Sequence, residues 1–185
     1  MNQEQISDYI EQMSGQKSAY ICGPLTGLGW RQRKKAKRFY EDIAFFIDEI
    51  TGIRSFVPHK FFDPLKNTTA TSQEIDTAER EQIVIRTSVL IVITHFGPSW
   101  GGGIEVEMAN RSRVPVIVIC SRDQNVSRLL LGNPAVQYII PCSNKISDFD
   151  EDTCFRLLET SLRNLDRIFE QNIFVEHKRS KISSQ

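Results

Sequence analysis

The sequence predicts an α/β protein built on a doubly wound sheet of five parallel strands, and three observations carry that expectation. Five short apolar runs, at residues 19–22, 53–58, 89–93, 114–120 and 136–140, alternate with stretches in which apolar residues recur every three or four positions, the spacing of one buried helical face. Parallel strands need a crossover connection, so this alternation makes a parallel sheet the economical solution. Two of the runs lead into glycine turns, at residues 23–27 and 101–103. Ligands on such sheets bind beyond the carboxyl ends of the strands, so both turns are expected to face one cleft of a single flavodoxin- or Rossmann-like domain.

Residues 1–17 form a polar leader in which Ile6, Ile10 and Met13 allow a short helix. The domain proper is expected over 18–173. Its first strand runs into Gly23, Pro24, Leu25, Thr26 and Gly27, and a helix follows over 30–50 with Ala36, Phe39, Tyr40, Ile43, Phe46, Ile47 and Ile50 on one face. The same helix opens with six cations, Arg31, Arg33, Lys34, Lys35, Lys37 and Arg38. Such a run is either a solvated face or, beside a glycine turn, a local field that attracts phosphate. A second strand at 53–58 and a polar connection lead to a helix over 72–86 that carries Glu74, Asp76, Glu79 and Glu81.

The third strand, 89–93, precedes the stretch PSWGGGIEVEMA, residues 98–109, which reads as glycine loop then helix, with Glu105 in the first helical turn. A glycine loop lets backbone N–H groups approach a ligand, and the positive end of a helix favours an anion. Residues 114–120 are near-continuously apolar, as in a strand buried on both faces. A short helix at 127–131, a fifth strand at 136–140 and a long helix over 147–173 complete the domain. The tail, 174–185, is polar and predicted to be flexible.

Composition narrows the function. With 40% hydrophobic and 25% charged residues, and 23 basic side chains balancing 23 acidic ones, global charge gives no case for nucleic-acid or membrane partners. No apolar run approaches the roughly 20 residues a membrane span requires, and the polar opening residues are not expected to act as a signal peptide. Cys22, Cys120, Cys142 and Cys154 form no CxxC pair, so reduced, structural cysteines of a cytoplasmic protein are expected, with no metal site. His59 and His95, each at a strand end, could touch a ligand or be structural. The chain lacks a GxxxxGK[ST] loop, a GxGxxG fingerprint with its ribose-binding acid, and a GxSxG elbow. Carboxylates remain as the chemical candidates.

Tyr20-Ile21-Cys22-Gly23-Pro24-Leu25, an acidic helix before the third strand, and Pro98-Ser99-Trp100-Gly101-Gly102-Gly103-Ile104-Glu105 with Ala109 together resemble the nucleoside 2-deoxyribosyltransferase superfamily. Within it the chain is more similar to the 2'-deoxynucleoside 5'-phosphate N-hydrolases, over roughly residues 18–140. The resemblance implies that Glu105 attacks the anomeric carbon of a nucleoside or nucleotide and that Tyr20 orients it. It implies an acid in the helix before the third strand to assist the departing base; the family has an aspartate there, and Glu81 falls at or next to the matching place, one methylene longer. It implies phosphate contacts from Ser99 and from Ser127 of the partner subunit in a homodimer with a shared active site. Gly23 to Gly27, Gly101 and Gly103 would supply backbone contacts, and no cofactor or metal is expected; Trp100 suits either the wall of the base pocket or a cover over the core.

Cleaving an N-glycosidic bond develops oxocarbenium character that a nearby carboxylate can stabilise and trap. The helix N-terminus is expected to keep Glu105 ionised for that task. Ser99 and Ser127 equally suit a turn and a helix N-cap, and a glutamate that opens a helix is favoured there without any catalysis. Three functions stay open: hydrolysis of a (deoxy)nucleoside 5'-monophosphate to free base and sugar 5-phosphate, base exchange between nucleosides by a deoxyribosyltransferase, and a nucleotide-binding regulatory module without turnover.

Overall fold

The computed structural model describes residues 17–63, 69–122, 125–142 and 153–165. Five parallel strands, β1 (Ser18–Cys22), β2 (Ser55–Phe56), β3 (Thr87–Ile93), β4 (Val116–Ser121) and β5 (Val136–Cys142), form one sheet in the order β2-β1-β3-β4-β5. The helices are α1 (Trp30–Thr51), α2 (Ser72–Glu81), α3 (Trp100–Arg111), the single turn α4 (Arg128–Leu131), and α5 at 153–165. This is the doubly wound arrangement that the alternating pattern predicts. The leading helix around Ile6, Ile10 and Met13, the ends of the long last helix with Ile168 and Phe169, and the polar tail lie outside the described residues.

Strand alternation divides the core into two layers. On β1, Ala19 and Ile21 face one side and Tyr20 and Cys22 the other; on β3, Val89, Ile91 and Ile93 oppose Leu90 and Val92. The first layer packs against Ala36, Tyr40, Ile43, Ala44 and Ile47 of α1 and against Leu158, Leu162 and Leu165 of α5. The second packs against Ile83 and against Val106, Met108 and Ala109 of α3. Residues buried on both faces explain why the runs of β3 and β4 read as continuously apolar.

Two elements differ from the sequence expectation. The second strand is only two residues long, because Pro58 lacks an amide hydrogen for the ladder and instead opens a 3₁₀ turn, Pro58–Lys60. The helix expected over 72–86 is α-helical only to Glu81 and then widens into a π turn, Gln82–Arg86. A Thr71–Glu74 capping box starts α2. Its far end is pinned to the sheet: Gln82 Nε2 donates to Ser18 Oγ at 2.7 Å, Thr87 Oγ1 to the Gln82 carbonyl at 2.9 Å, and Ser18 Oγ to the Arg86 carbonyl at 3.1 Å.

The order of strands puts a switch point between β1 and β3, whose crossovers leave the sheet in opposite directions. Gly23 ends β1 there under close approach. A Cβ at this position would collide with the Tyr40 hydroxyl and lie 2.8 Å from the Ile93 carbonyl oxygen. That Tyr40 hydroxyl is itself fixed, donating to the Pro24 carbonyl at 3.0 Å. Gly23→Ala is therefore expected to destabilise the protein by about 1–3 kcal/mol through overpacking, read as a lower urea midpoint at unchanged slope; an unchanged midpoint would contradict this packing.

Candidate active site

A cleft of about 590 Å³ opens at the switch point, within the size range of small-molecule sites. Gly23, Pro24, Leu25, Thr26 and Gly27 form one wall, and Ser99, Trp100 and Gly101 form the rim at the start of α3. Ile75 and Glu79 of α2 face in from another side, and Cys22 and Glu105 also line it. The 23–27 wall is strapped from behind by Arg33, which donates to the carbonyls of Leu25 at 3.1 Å and Leu28 at 3.0 Å. Lys37, one turn on, is paired with Asp63. Two of the six cations at the start of α1 thus hold backbone and loop in place; Arg31, Lys34 and Lys35 are exposed.

The start of α3 corrects the sequence reading. Ser99 is the N-cap, its Oγ accepting the Gly102 N–H at 3.1 Å, and the helix begins at Trp100. The three glycines therefore form the first helical turn rather than a loop, and Glu105 sits in the second turn. Ser99's side chain satisfies a helix donor that would otherwise be orphaned, which starts the helix earlier than the glycines suggest. Trp100 is 96% exposed at the rim. Gly103 is exposed and does not line the cleft.

Glu105 is 8% exposed, and Tyr20 Oη donates to its Oε1 at 2.8 Å. Tyr20 itself is fully buried and stacked on Phe56, with ring centroids 5.4 Å apart. Cys22, two residues along β1 and on the same face, lines the cleft as well. Burial pushes the Glu105 carboxyl above the ordinary range, and the neighbouring Cys22 thiol and the Tyr20 hydrogen bond pull it partly back down. The position deep in the fold, past the first turn, makes burial and these two neighbours the governing influences, in place of the helix dipole that the sequence suggested. Tyr20 and Cys22 are both pushed well up, by burial and then by the charge of Glu105, and so remain neutral.

The acidic helix contributes a different residue from the one the sequence singled out. Glu81 points away from the cleft and pairs with Arg86 at 2.7 Å, beside a small pocket between Phe56, Phe61 and Phe62. Glu79 lines the cleft instead. On α-helical geometry two residues are about 200° apart around the axis, so only one of them can face the site. Ile75, Glu79 and Ile83 follow one another at intervals of four, and that row of a carboxylate between two isoleucines is the sequence signal that selects Glu79. Burial first, then the charge of Glu105, then Asp76 push the Glu79 carboxyl up to about 8.

Ser127 is exposed, precedes α4 without a side-chain cap bond, and does not line this chain's cleft. His59 does line it, with Nε2 held 2.9 Å from Glu41 Oε1; burial lowers its pKa, partly offset by Glu41. His95 lies outside, its Nδ1 2.8 Å from Ser121 Oγ. All four cysteines are buried, and none is in a disulfide. Among the described residues no helix is long and apolar enough to cross a membrane.

The fold has counterparts among solved structures. A CMP N-glycosidase of Clostridium botulinum, BcmB, is similar over 78% of this chain and 98% of its own, at 19% identity and a TM-score of 0.53. A conserved protein of Enterococcus faecalis V583 aligns over 85% of this chain and 99% of its own, at 15% identity and a TM-score of 0.45. At the first of these identities the likeness is one of fold. No protein-family model and no curated sequence matches the chain.

The raised Glu79 carboxyl has a consequence for stability. The folded state holds this proton more tightly than the unfolded chain, so the group's contribution is fully present below about 4.5 and is lost as the pH rises through about 8. Glu79→Gln is expected to be more stable than the wild type at pH 9, with the advantage shrinking toward pH 5. Urea unfolding at both values checks it, and a pH-independent difference would contradict the burial of an ionisable Glu79.

Proposed function

We propose that the protein is an N-glycosidase that hydrolyses the bond between base and sugar of a (deoxy)nucleoside 5'-monophosphate, giving free base and sugar 5-phosphate. The observation that carries this reading is the pairing of two carboxyls in one cleft with different surroundings. Glu105 is hydrogen-bonded by Tyr20 at 2.8 Å, while every influence acting on Glu79 raises it, to about 8. Burial raises both carboxyls, but only Glu105 has neighbours that favour its charged form, so the two can divide the roles of nucleophile and acid. The fold likeness to a protein described as a CMP N-glycosidase supports the same substrate class.

In the first step the Glu105 carboxylate bonds to the anomeric carbon as the carbon–nitrogen bond breaks, and protonated Glu79 delivers its proton to the departing base. Tyr20 holds the attacking carboxylate. In the second step water attacks the same carbon, Glu79 takes the proton from it, and the ester to Glu105 is released with the sugar phosphate. Backbone N–H groups at the start of α3 and along residues 23–27, with Ser99, are the proposed phosphate and sugar contacts, and Trp100 the wall beside the base. We place Ser127 of the partner subunit at the phosphate in a cytoplasmic homodimer. The exposed Arg31, Lys34 and Lys35 supply a field that favours the dianion at the cleft mouth.

A panel of ribo- and deoxyribonucleosides and their monophosphates, with free base followed by chromatography, tests the reaction. Release from monophosphates is expected, and Glu105→Gln should lower it about 10³-fold or more. Release that requires an acceptor base would instead identify a deoxyribosyltransferase, and binding without release a regulatory module.

Glu79→Gln should cost about 10²–10⁴-fold on natural nucleotides. It should cost far less on 4-nitrophenyl 2-deoxyribose 5-phosphate, whose leaving group needs no proton. Equal losses on both substrates would remove Glu79 from the acid role.

A further inference from the structure

His59 lines the cleft, yet the reaction as written gives it no part. It belongs to the 3₁₀ turn that Pro58 opens directly after β2, and its side chain is only 5% exposed. One ring nitrogen, Nε2, lies 2.9 Å from Glu41 Oε1 on α1. A carboxylate only accepts hydrogen bonds, so this nitrogen carries the ring's proton. The other nitrogen, Nδ1, has no hydrogen-bond partner among the described residues. Burial lowers the ring's pKa, Glu41 raises it in part, and Lys37 and Lys60 lower it further. A neutral ring pinned through Nε2 offers a bare lone pair at Nδ1. Tyr40 flanks the ring, with centroids 6.0 Å apart.

The order of strands decides which part of a nucleotide meets that lone pair. β2 and the turn after it lie on the far side of β1 from β3, the strand that leads into α3 and Glu105. With the anomeric carbon at Glu105 and the base within reach of Glu79, the edge of the base remote from the sugar is directed toward residues 58–62. Pro58, Phe62 and Ile75 give that side of the cleft apolar faces against which a flat base can lie. We propose that His59 is a specificity-determining residue that selects bases with an exocyclic amino group at this remote edge, cytosine or adenine, its Nδ1 accepting a hydrogen bond from the amine. The inference rests on the reading of the cleft as a nucleoside monophosphate site. Uracil and hypoxanthine carry a carbonyl oxygen at the same place, and two acceptors that face each other in a buried site leave both unpaired. Glu41 is the positioning residue, because its hold on the Nε2 proton fixes which nitrogen is bare.

Calorimetric binding of matched pairs tests this without turnover, using Glu105→Gln protein with CMP against UMP and AMP against IMP, each in ribo and deoxy forms. The amino member of at least one pair is expected to bind about 10- to 100-fold more tightly, the effect of one hydrogen bond gained against one acceptor left unpaired. His59→Phe keeps a ring without the acceptor and should bring the ratio near one. Glu41→Lys, at a half-exposed position, should reverse the preference, because an ammonium donates to Nε2 and leaves the ring proton on Nδ1. Equal binding within both pairs, tighter binding of the carbonyl members, or a ratio that either variant leaves unchanged overturns the proposal. Should His59→Phe fail to fold, nitrogen NMR of labelled histidine in the wild type decides. The ring whose resonances Glu41→Lys displaces should be protonated at Nε2 and bare at Nδ1, and a proton on Nδ1 overturns the proposal equally. Base release without preference within either pair overturns this proposal and leaves the glycosidase reading standing. Preferential binding without release does the opposite, and binding of no monophosphate overturns both.

Discussion

A hydrogen bond from a fully buried tyrosine to a nearly buried glutamate, Tyr20 to Glu105 at 2.8 Å, is the contact on which the site depends. It joins β1, an inner strand of the sheet, to the helix that follows the third strand, over 85 residues of sequence. A carboxylate withdrawn from water is costly unless its hydrogen bonds are replaced. The fold meets that cost with a donor from β1, Tyr20, on a strand that pairs with β3. The register of β1 against β3 is consequently a chemical constraint as well as a packing one: a slip of one residue would turn Tyr20 and Cys22 to the opposite layer.

The surrounding elements hold that geometry open. Arg33 straps the 23–27 wall by its carbonyls, Tyr40 fixes Pro24, and the Gln82–Ser18–Arg86 bonds lock the π turn to the foot of β1. Ser99 caps α3 so that three glycines form its first turn, and Gly101 among them lines the cleft. Glycines inside a helix cost about 1 kcal/mol each relative to alanine. Their use here leaves the backbone of the first turn bare at the rim, beside the exposed Trp100. On the opposite wall Glu79 sits between Ile75 and Ile83, where a partly buried carboxyl beside a second one keeps its proton to about pH 8.

Much of the fold was legible in the sequence because it rests on periodicity: the runs at 89–93 and 114–120 are apolar on both faces, and α1 carries one apolar stripe. The switch-point cleft between the turns after β1 and β3 was legible for the same reason, since topology follows from alternation. What was not legible depended on phase and depth. Glu79 and Glu81 are both acidic residues of one helix, and only the angle about its axis decides which enters the cleft. The glycines of α3 read as a loop because glycine disfavours helix, and the cap by Ser99 outweighs that preference. The influence on Glu105 was assigned to a helix dipole, whereas its depth makes burial the larger effect. Cys22 reads as a small hydrophobe, which describes its burial but misses its place in the lining of the cleft.

The central claim is that Glu105 is the atom source of a covalent bond to the sugar while Glu79 handles the proton. Mass spectrometry of acid-quenched protein after incubation with a 2'-deoxy-2'-fluoro-nucleoside 5'-monophosphate tests it most directly, because the fluorine destabilises oxocarbenium character and slows release of the ester. A fluorosugar-phosphate adduct on the peptide containing Glu105, absent in Glu105→Gln, is the predicted result. Base release from the same substrate with no adduct, or with the adduct on Glu79, would contradict it.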